Sequence, residues 1–356
     1  MEDLKLSLPL IFDFSFGQLE AIFSDLNEPK FRVKQLWQGI YIQLWNKPDQ
    51  FTNFPKTLRD KLFNTFSFDS MIPEKILQSS DHETVKTLLK LYDGRAIEAV
   101  LMKYDQRRTL CISTQAGCAM GCVFCATGQM GFQRNLTAGE IIEQVLHYAR
   151  LLQQDGERVT NIVLMGMGEP FHNYESTMQA INTLNDADGF NLGARRFTIS
   201  TVGLVPMIKK FADENRQVNL AISLHEATDE ERSKLLPVNK KYPIRTLLDV
   251  CRYYIEKTNR RITFEWALIA GYNDDVDTAK KLAELLKGLL CHVNVIPLNP
   301  TANPNLKAPT KEQTIIFQQT LENNGIPCTI RLRRGIDIQA GCGQLAIKHN
   351  PPTNMI

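Results

Sequence analysis

The sequence predicts an α/β fold, a partial (βα)6-type barrel preceded by a small N-terminal helical domain and a β-hairpin extension. Three observations carry this. From about residue 108, strand-like and helix-like segments alternate, which implies parallel βα units. Before them, three stretches place apolar residues at helical spacing. Between the two regions lies "YDGR", whose Asp-Gly pair is a strong hairpin-turn signal.

In chain order, "FGQLEAIFSDL", "PKFRVKQLWQGIYIQLW" and "FPKTLRDKLFNTF" are the helical stretches, and residues 1–80 read as an accessory domain. Residues 81–107 alternate about the Asp-Gly turn as a hairpin. Candidate strands then follow at "TLCIST", "NIVLMG", "RRFTIST", "VNLAISLH", "ITFEWALI", "HVNVIPLN" and "CTIRLR". Amphipathic helical patterns intervene. Thr137 with Glu140 opens the first of these at capping-box spacing, and Thr310 with Gln313 opens the last. The barrel domain is expected over 108–347, with "HNPPTNMI" a tail at 348–356. Functional residues of such a barrel lie at the C-terminal ends of its strands.

The chain has 356 residues, 43% hydrophobic and 22% charged, an ordinary globular composition that argues against disorder. Its start, "MEDLKLSLPLIFDFSF", lacks the basic region and apolar core of a signal peptide. No apolar run approaches the roughly 18 residues of a membrane span. A cytoplasmic protein with no membrane association is expected. Net charge is +2, so any nucleic-acid site must be a local patch.

Three of the eight cysteines crowd into "GCAMGCVFCATG" as Cys118, Cys122 and Cys125, the spacing C-x3-C-x2-C. In a reducing compartment such a cluster points to metal binding or catalysis. A structural zinc normally takes four protein ligands, and the local set stops at three. Thiolates also hold iron–sulfur clusters, and three on one loop leave one iron open to a small molecule. A zinc knuckle completed by a remote residue, or simply buried thiols, are the other readings. Gly168 and Glu169, Ser200, Ser223, His225 and Asn299 end later strands, where a barrel places its ligand. Each alone reads equally well as a turn or cap residue. Cys251, Cys291 and Cys328 read as small buried hydrophobes.

With Phe124 before the last cysteine, the triplet resembles the signature of radical S-adenosylmethionine (SAM) enzymes. "CISTQAGCAMGCVFCATGQMGFQRNLTAGEI", "LMGMGEP", "FTISTVG", "AISLHEATDEERSKLLPVNKKYPI" and "GIDIQAGCGQL" narrow this. Over about residues 20–347 they resemble the RlmN/Cfr family of RNA adenine methyltransferases. The resemblance implies a radical SAM barrel and a 4Fe-4S cluster on Cys118, Cys122 and Cys125. It implies SAM contacts at Gly168, Glu169, Ser200, Ser223, Leu224, His225 and Asn299. Two SAM molecules are consumed per turnover. One methylates Cys342, and the other yields a 5′-deoxyadenosyl radical that activates that methyl group. The carbon joins adenine, Glu98 takes the ring proton, and Cys111 releases the product by forming a disulfide with Cys342.

The implied reaction is methylation at adenine C2 in 23S rRNA and in tRNA. The sister activity at C8, which confers antibiotic resistance, has the same layout of motifs. Further expectations are an electron donor such as flavodoxin or ferredoxin, a monomeric chain, and an N-terminal domain that helps grip RNA. Arg107, Arg108, Arg134, Arg331, Arg333 and Arg334 bracket the cysteines and are candidates for phosphate contacts. From another class comes a non-catalytic metal-containing RNA-binding protein, for which Cys342 would be dispensable.

Overall fold

The computed structural model describes residues 8–300 and 305–346, so the expected tail at 348–356 lies outside the described residues. The three N-terminal helices form at Phe16–Asp25, Phe31–Tyr41 and Lys56–Thr65. Ser15 starts the first with a reciprocal capping box to Gln18. Their apolar faces join the same buried cluster as the barrel. Polar contacts seal the seam: Gly139 N–H donates to Asp13 Oδ1 at 2.7 Å, and Trp37 Nε1 donates to Asp186 Oδ1 at 3.1 Å.

Strands β1 (Met71–Gln78), β2 (Thr84–Leu91), β3 (Ala96–Tyr104) and β4 (Arg107–Cys111) form an antiparallel meander. The Asp93-Gly94 turn joins β2 to β3 as the sequence predicts. Strand β1 is a correction, because residues 71–78 were expected in the helical region. Pro73 is tolerated there because β1 is an edge strand, with a bulge between Pro73 and Lys75. A separate two-stranded ribbon, β5 (Gln115–Gly117) with β6 (Phe132–Asn135), flanks the cysteine loop and was not anticipated.

The remaining strands are β7 (Asn161–Leu164), β8 (Phe197–Thr201), β9 (Asn219–Ser223), β10 (Ile262–Leu268), β11 (Cys291–Pro297) and β12 (Cys328–Ile330). The main sheet runs β1-β2-β3-β4-β7-β8-β9-β10-β11-β12 and stays open. From β4 to β12 every pairing is parallel. This is the partial barrel that the strand–helix rhythm predicts. The hairpin is therefore not an appendage: β3 pairs with β4, which makes it a continuation of the barrel sheet.

The helix Ala138–Gln154 begins with the anticipated Thr137–Glu140 capping box and buries Glu143 completely enough to matter. Ser70 donates both its N–H, at 2.7 Å, and its hydroxyl to that carboxylate, yet burial still pushes Glu143 up to about 8. A carboxyl whose folded value exceeds its unfolded one stabilises the fold fully below the unfolded value, near 4.5, and loses that contribution as pH rises through about 8. The thermal midpoint should therefore fall between pH 6 and 8.5. Glu143→Gln should flatten that fall by roughly a few degrees. Melting curves with parallel pH slopes for the two proteins would refute this.

Candidate functional site

The cysteine loop begins where Gly117 takes φ 74° and lies so close to the Gly131 carbonyl that a Cβ would sit 1.9 Å from its oxygen. Only glycine fits there. Cys118 N–H donates to the same carbonyl at 2.9 Å, so the loop closes on the β5–β6 ribbon. Cys118, Cys122 and Cys125 all line one cavity that opens to solvent. Burial pushes the Cys118 thiol up to about 12 and Cys122 well above its ordinary value. Among the described residues no three His, Cys, Asp or Glu side chains stand drawn together as a finished metal site. The donor set nevertheless fits an iron–sulfur cluster: three soft donors on one loop, which would release protons on binding.

The opposite wall comes from the strand ends. Gly168, Glu169, Ser200, Ser223, His225 and Asn299 line the same cavity, as does Cys342. Gly168 takes φ 104° and packs against Gln115, where a Cβ would come within 2.6 Å of the Gln115 side chain. Glu169 accepts from Phe171 N–H at 3.0 Å and Val202 N–H at 2.9 Å, and burial raises it to about 7. His225 accepts from Ala267 N–H through Nδ1 at 2.8 Å. Burial lowers it to about 3, so the ring is neutral, and it packs edge-on against Phe124 with centroids 4.8 Å apart. Asn299 donates from Nδ2 to Cys342 O at 3.1 Å, while its buried Oδ1 has no partner among the described residues. An unpartnered buried acceptor in a polar-walled cavity fits a ligand that donates hydrogen bonds.

Three expected residues stand elsewhere. Leu224 is fully buried and absent from the cavity lining, contributing backbone only: its N–H donates to Glu265 O at 3.1 Å. Cys111, at the end of β4, lies in an adjoining pocket that Cys342 also lines. All eight cysteines are free, so the disulfide expected between these two is not formed in the structure. Burial pushes Cys111 up to about 12, opposed by the Arg331 guanidinium. Glu98 faces a different groove, over the hairpin sheet, and is ion-paired to Lys86 at 2.9 Å.

The arginines divide. Arg108 is held by Glu157, with Nε at 2.6 Å from its carboxylate, and Arg134 by Glu140 and Asp93. Arg331 turns inward beside Cys111 and Cys342. Arg334 lies over the Tyr104 ring and pairs with Glu83 at 3.5 Å. Arg107, whose guanidinium lies over the Tyr104 ring at 5.0 Å, and Arg333 are both exposed and can reach phosphates.

Two functional neighbours escaped the sequence. Glu265, buried in mid-strand β10, lines the cavity and accepts from Asn294 Nδ2 at 2.7 Å. Arg232, fully buried, donates to Leu224 O, Val202 O, Ser223 O and Asn239 Oδ1 at 2.8–3.1 Å, clamping the ends of β8 and β9. In "DEERSKL" it reads as one charge of a solvated helix, and no local signal marks it.

An open parallel barrel whose first long loop turns three thiols into a polar-walled cavity defines a radical SAM enzyme, and residues 112–285 match the Radical SAM superfamily. Membership entails a 4Fe-4S cluster and SAM. Residues 10–67 match the ribosomal RNA large subunit methyltransferase N-terminal domain. The chain belongs to the RlmN family of radical SAM methyltransferases. It is 48% identical to the dual-specificity RNA methyltransferase RlmN 1 of Myxococcus xanthus, over 94% of this chain and 93% of that one. It is 45% identical to the probable dual-specificity RNA methyltransferase RlmN of Chloroflexus aurantiacus, over 97% and 95%. A crystal structure of a radical SAM methyltransferase from Sphaerobacter thermophilus superposes with a TM-score of 0.93 at 48% identity, over 95% of this chain and 99% of that one. Membership sets aside the non-catalytic reading. No helix among the described residues is long and apolar enough to cross a membrane.

Proposed function

We propose that this enzyme methylates C2 of an adenine in 23S rRNA and in tRNA through a methylated Cys342. The observation that carries the reading is spatial. Cys342 lines the three-thiol cavity on one side and the Cys111 pocket on the other. One sulfur so placed can receive a methyl group from the cofactor side and meet a second thiol afterwards. The relatives' names, dual-specificity RNA methyltransferases, support the substrate class.

In this reading Cys118, Cys122 and Cys125 hold the cluster. Glu169 and the Asn299 side chain receive the polar end of SAM, with Gly168, Ser200, Ser223 and His225 completing the pocket and Leu224 supporting it from behind through its backbone. When bound, cluster and cofactor supply a 5′-deoxyadenosyl radical, chemistry that no side chain provides. Cys342 carries the carbon to adenine, an aromatic C–H position closed to ordinary methyl transfer, and the single electron left once the C–C bond has formed and the ring proton has gone would pass back to the oxidised cluster. Glu98, which in the structure lies in the neighbouring groove on Lys86, would take the ring proton once the Cys342 loop, held by its bond to Ala346, opens toward it. Cys111 then attacks the Cys342 sulfur: the S–S bond forms, the S–CH2 bond breaks, and the departing carbon takes a proton to become the methyl group. A thiol reductant must reopen the disulfide before the next turnover. Exposed Arg107 and Arg333 hold the RNA backbone, and the target base is unstacked to enter. An electron donor of the flavodoxin or ferredoxin type and a monomeric chain complete the proposal.

Cys342→Ala should keep its cluster and methylate nothing, with product below roughly 1% of wild type, a loss typical of removing a covalent intermediate's carrier. Mass spectrometry of digested RNA from the wild-type reaction should place the methyl group on C2. A C8 product would assign the sister activity instead, and normal turnover by Cys342→Ala would end the covalent-carrier reading.

A further inference from the structure

The loop that carries Cys342 is gripped on both sides by one buried ion pair. Lys86 on β2 and Glu98 on β3 face the same groove, their side chains 8% and 7% exposed. Lys86 Nζ contacts Glu98 Oε1 at 2.9 Å and donates to Gln339 O at 3.1 Å, three residues before Cys342. Glu98 Oε2 accepts from Ala346 N–H at 3.0 Å, four residues after it. On its other side the loop leans on the cysteine loop, where Ala126 N–H donates to Gly343 O at 2.8 Å.

A lysine is rarely this buried without a partner. Desolvating two charges is costly, and breaking such a pair by removing one member costs more than the pair itself contributes. Charge-assisted bonds to two backbone groups therefore hold the flanks of Cys342 more firmly than neutral contacts would. A packing role would need neither charge nor these two backbone contacts.

We propose that Lys86 is a positioning residue which, through Glu98, latches the Cys342 loop over the barrel mouth. The inference rests on the reading of Cys342 as the carrier of the methyl group: a carrier that must face the cofactor and then the RNA needs a loop held in register yet able to release. Lys86 fixes the N-terminal flank directly and the C-terminal flank through Glu98, so the pair sets how often the loop opens.

The test uses the full-length chain produced without its cluster and given the cluster afterwards in the absence of SAM, so that Cys342 carries a free thiol, and follows alkylation of Cys342 by iodoacetamide under anaerobic conditions with peptide mass spectrometry. Lys86→Met should accelerate that alkylation by roughly tenfold, the change expected when a charge-assisted contact is lost. Amide exchange over residues 335–346 should rise with it, at unchanged iron content. Lys86→Arg, which keeps the charge and the donors, should bring both back toward wild type. Should Lys86→Met not fold, Glu98→Gln removes the ion pair while keeping an acceptor for Ala346, and should accelerate alkylation by a smaller factor. Wild-type alkylation and exchange in Lys86→Met, or in Glu98→Gln where that is the variant used, would overturn the latch. The carrier reading is scored separately, by S-methylation of Cys342 in the wild-type protein. Its absence would defeat that reading and leave the alkylation result to be judged on its own.

Discussion

Cys122→Ala protein, purified without oxygen, is expected to be colourless, with iron on the order of a tenth of wild type or less, and to cleave no SAM. The loop offers three thiolates and no fourth. With one gone, two irons of a cluster would lack protein ligands. Cys122 is buried, and its carbonyl accepts from Gln129 Nε2 at 3.1 Å and from Cys125 N–H at 3.1 Å, bonds that Ala preserves. The backbone path of the loop therefore survives the substitution. Replacing one small buried side chain by another costs about 1 kcal/mol, too little to unfold a chain of this size. Folding and cluster assembly thus separate in this variant. A normal melting temperature with no iron is the expected pair of results, and full iron content with normal cleavage would remove Cys122 from the ligand set.

Most of the fold was legible because it is periodic. The seven parallel strands from β4 to β12 each announce themselves as short apolar runs between amphipathic helices, and two of those helices begin with the capping boxes seen in the sequence. Strand β1 was not legible: Pro73, Glu74 and Lys75 suppress the strand signal, and only pairing with β2 along one edge holds it extended. The cysteine loop and the strand-end polar residues were legible through local spacing and through resemblance. Contacts across the chain were not. Glu98 and Ala346 are 248 residues apart, and Lys86 and Gln339 are 253 apart. No local pattern connects them. The same holds for Arg331, which in "RLRR" reads as one of a basic surface run. In the structure it turns inward to two thiols, because β12 pairs with β11 directly beside the buried Glu265 and the half-buried Asn294.

Cys111→Ala should yield a protein covalently joined to RNA. The substitution leaves the three-thiol loop, the strand-end pocket and Cys342 in place, so every step up to bond formation between Cys342-borne carbon and adenine remains available. What disappears is the sulfur that opens the Cys342 S–CH2 bond. Cys111 ends β4, paired with Val100 on β3 and Val163 on β7, and its pocket is shared with Cys342. The thiolate is the attacking form. Burial holds the Cys111 thiol up at about 12, and the Arg331 guanidinium opposes that shift. The release step in the wild-type protein should therefore quicken as pH rises toward 9. Were Cys111 only a packed side chain, Ala would cost about 1–2 kcal/mol of stability and leave no crosslink. Expressed in cells, the variant should copurify with RNA that survives denaturation. Nuclease digestion should leave a single nucleotide on Cys342 through a one-carbon bridge, visible by peptide mass spectrometry. An RNA-free, fully active Cys111→Ala protein would remove Cys111 from the reaction, and an adduct mapped to any other residue would move the carrier away from Cys342.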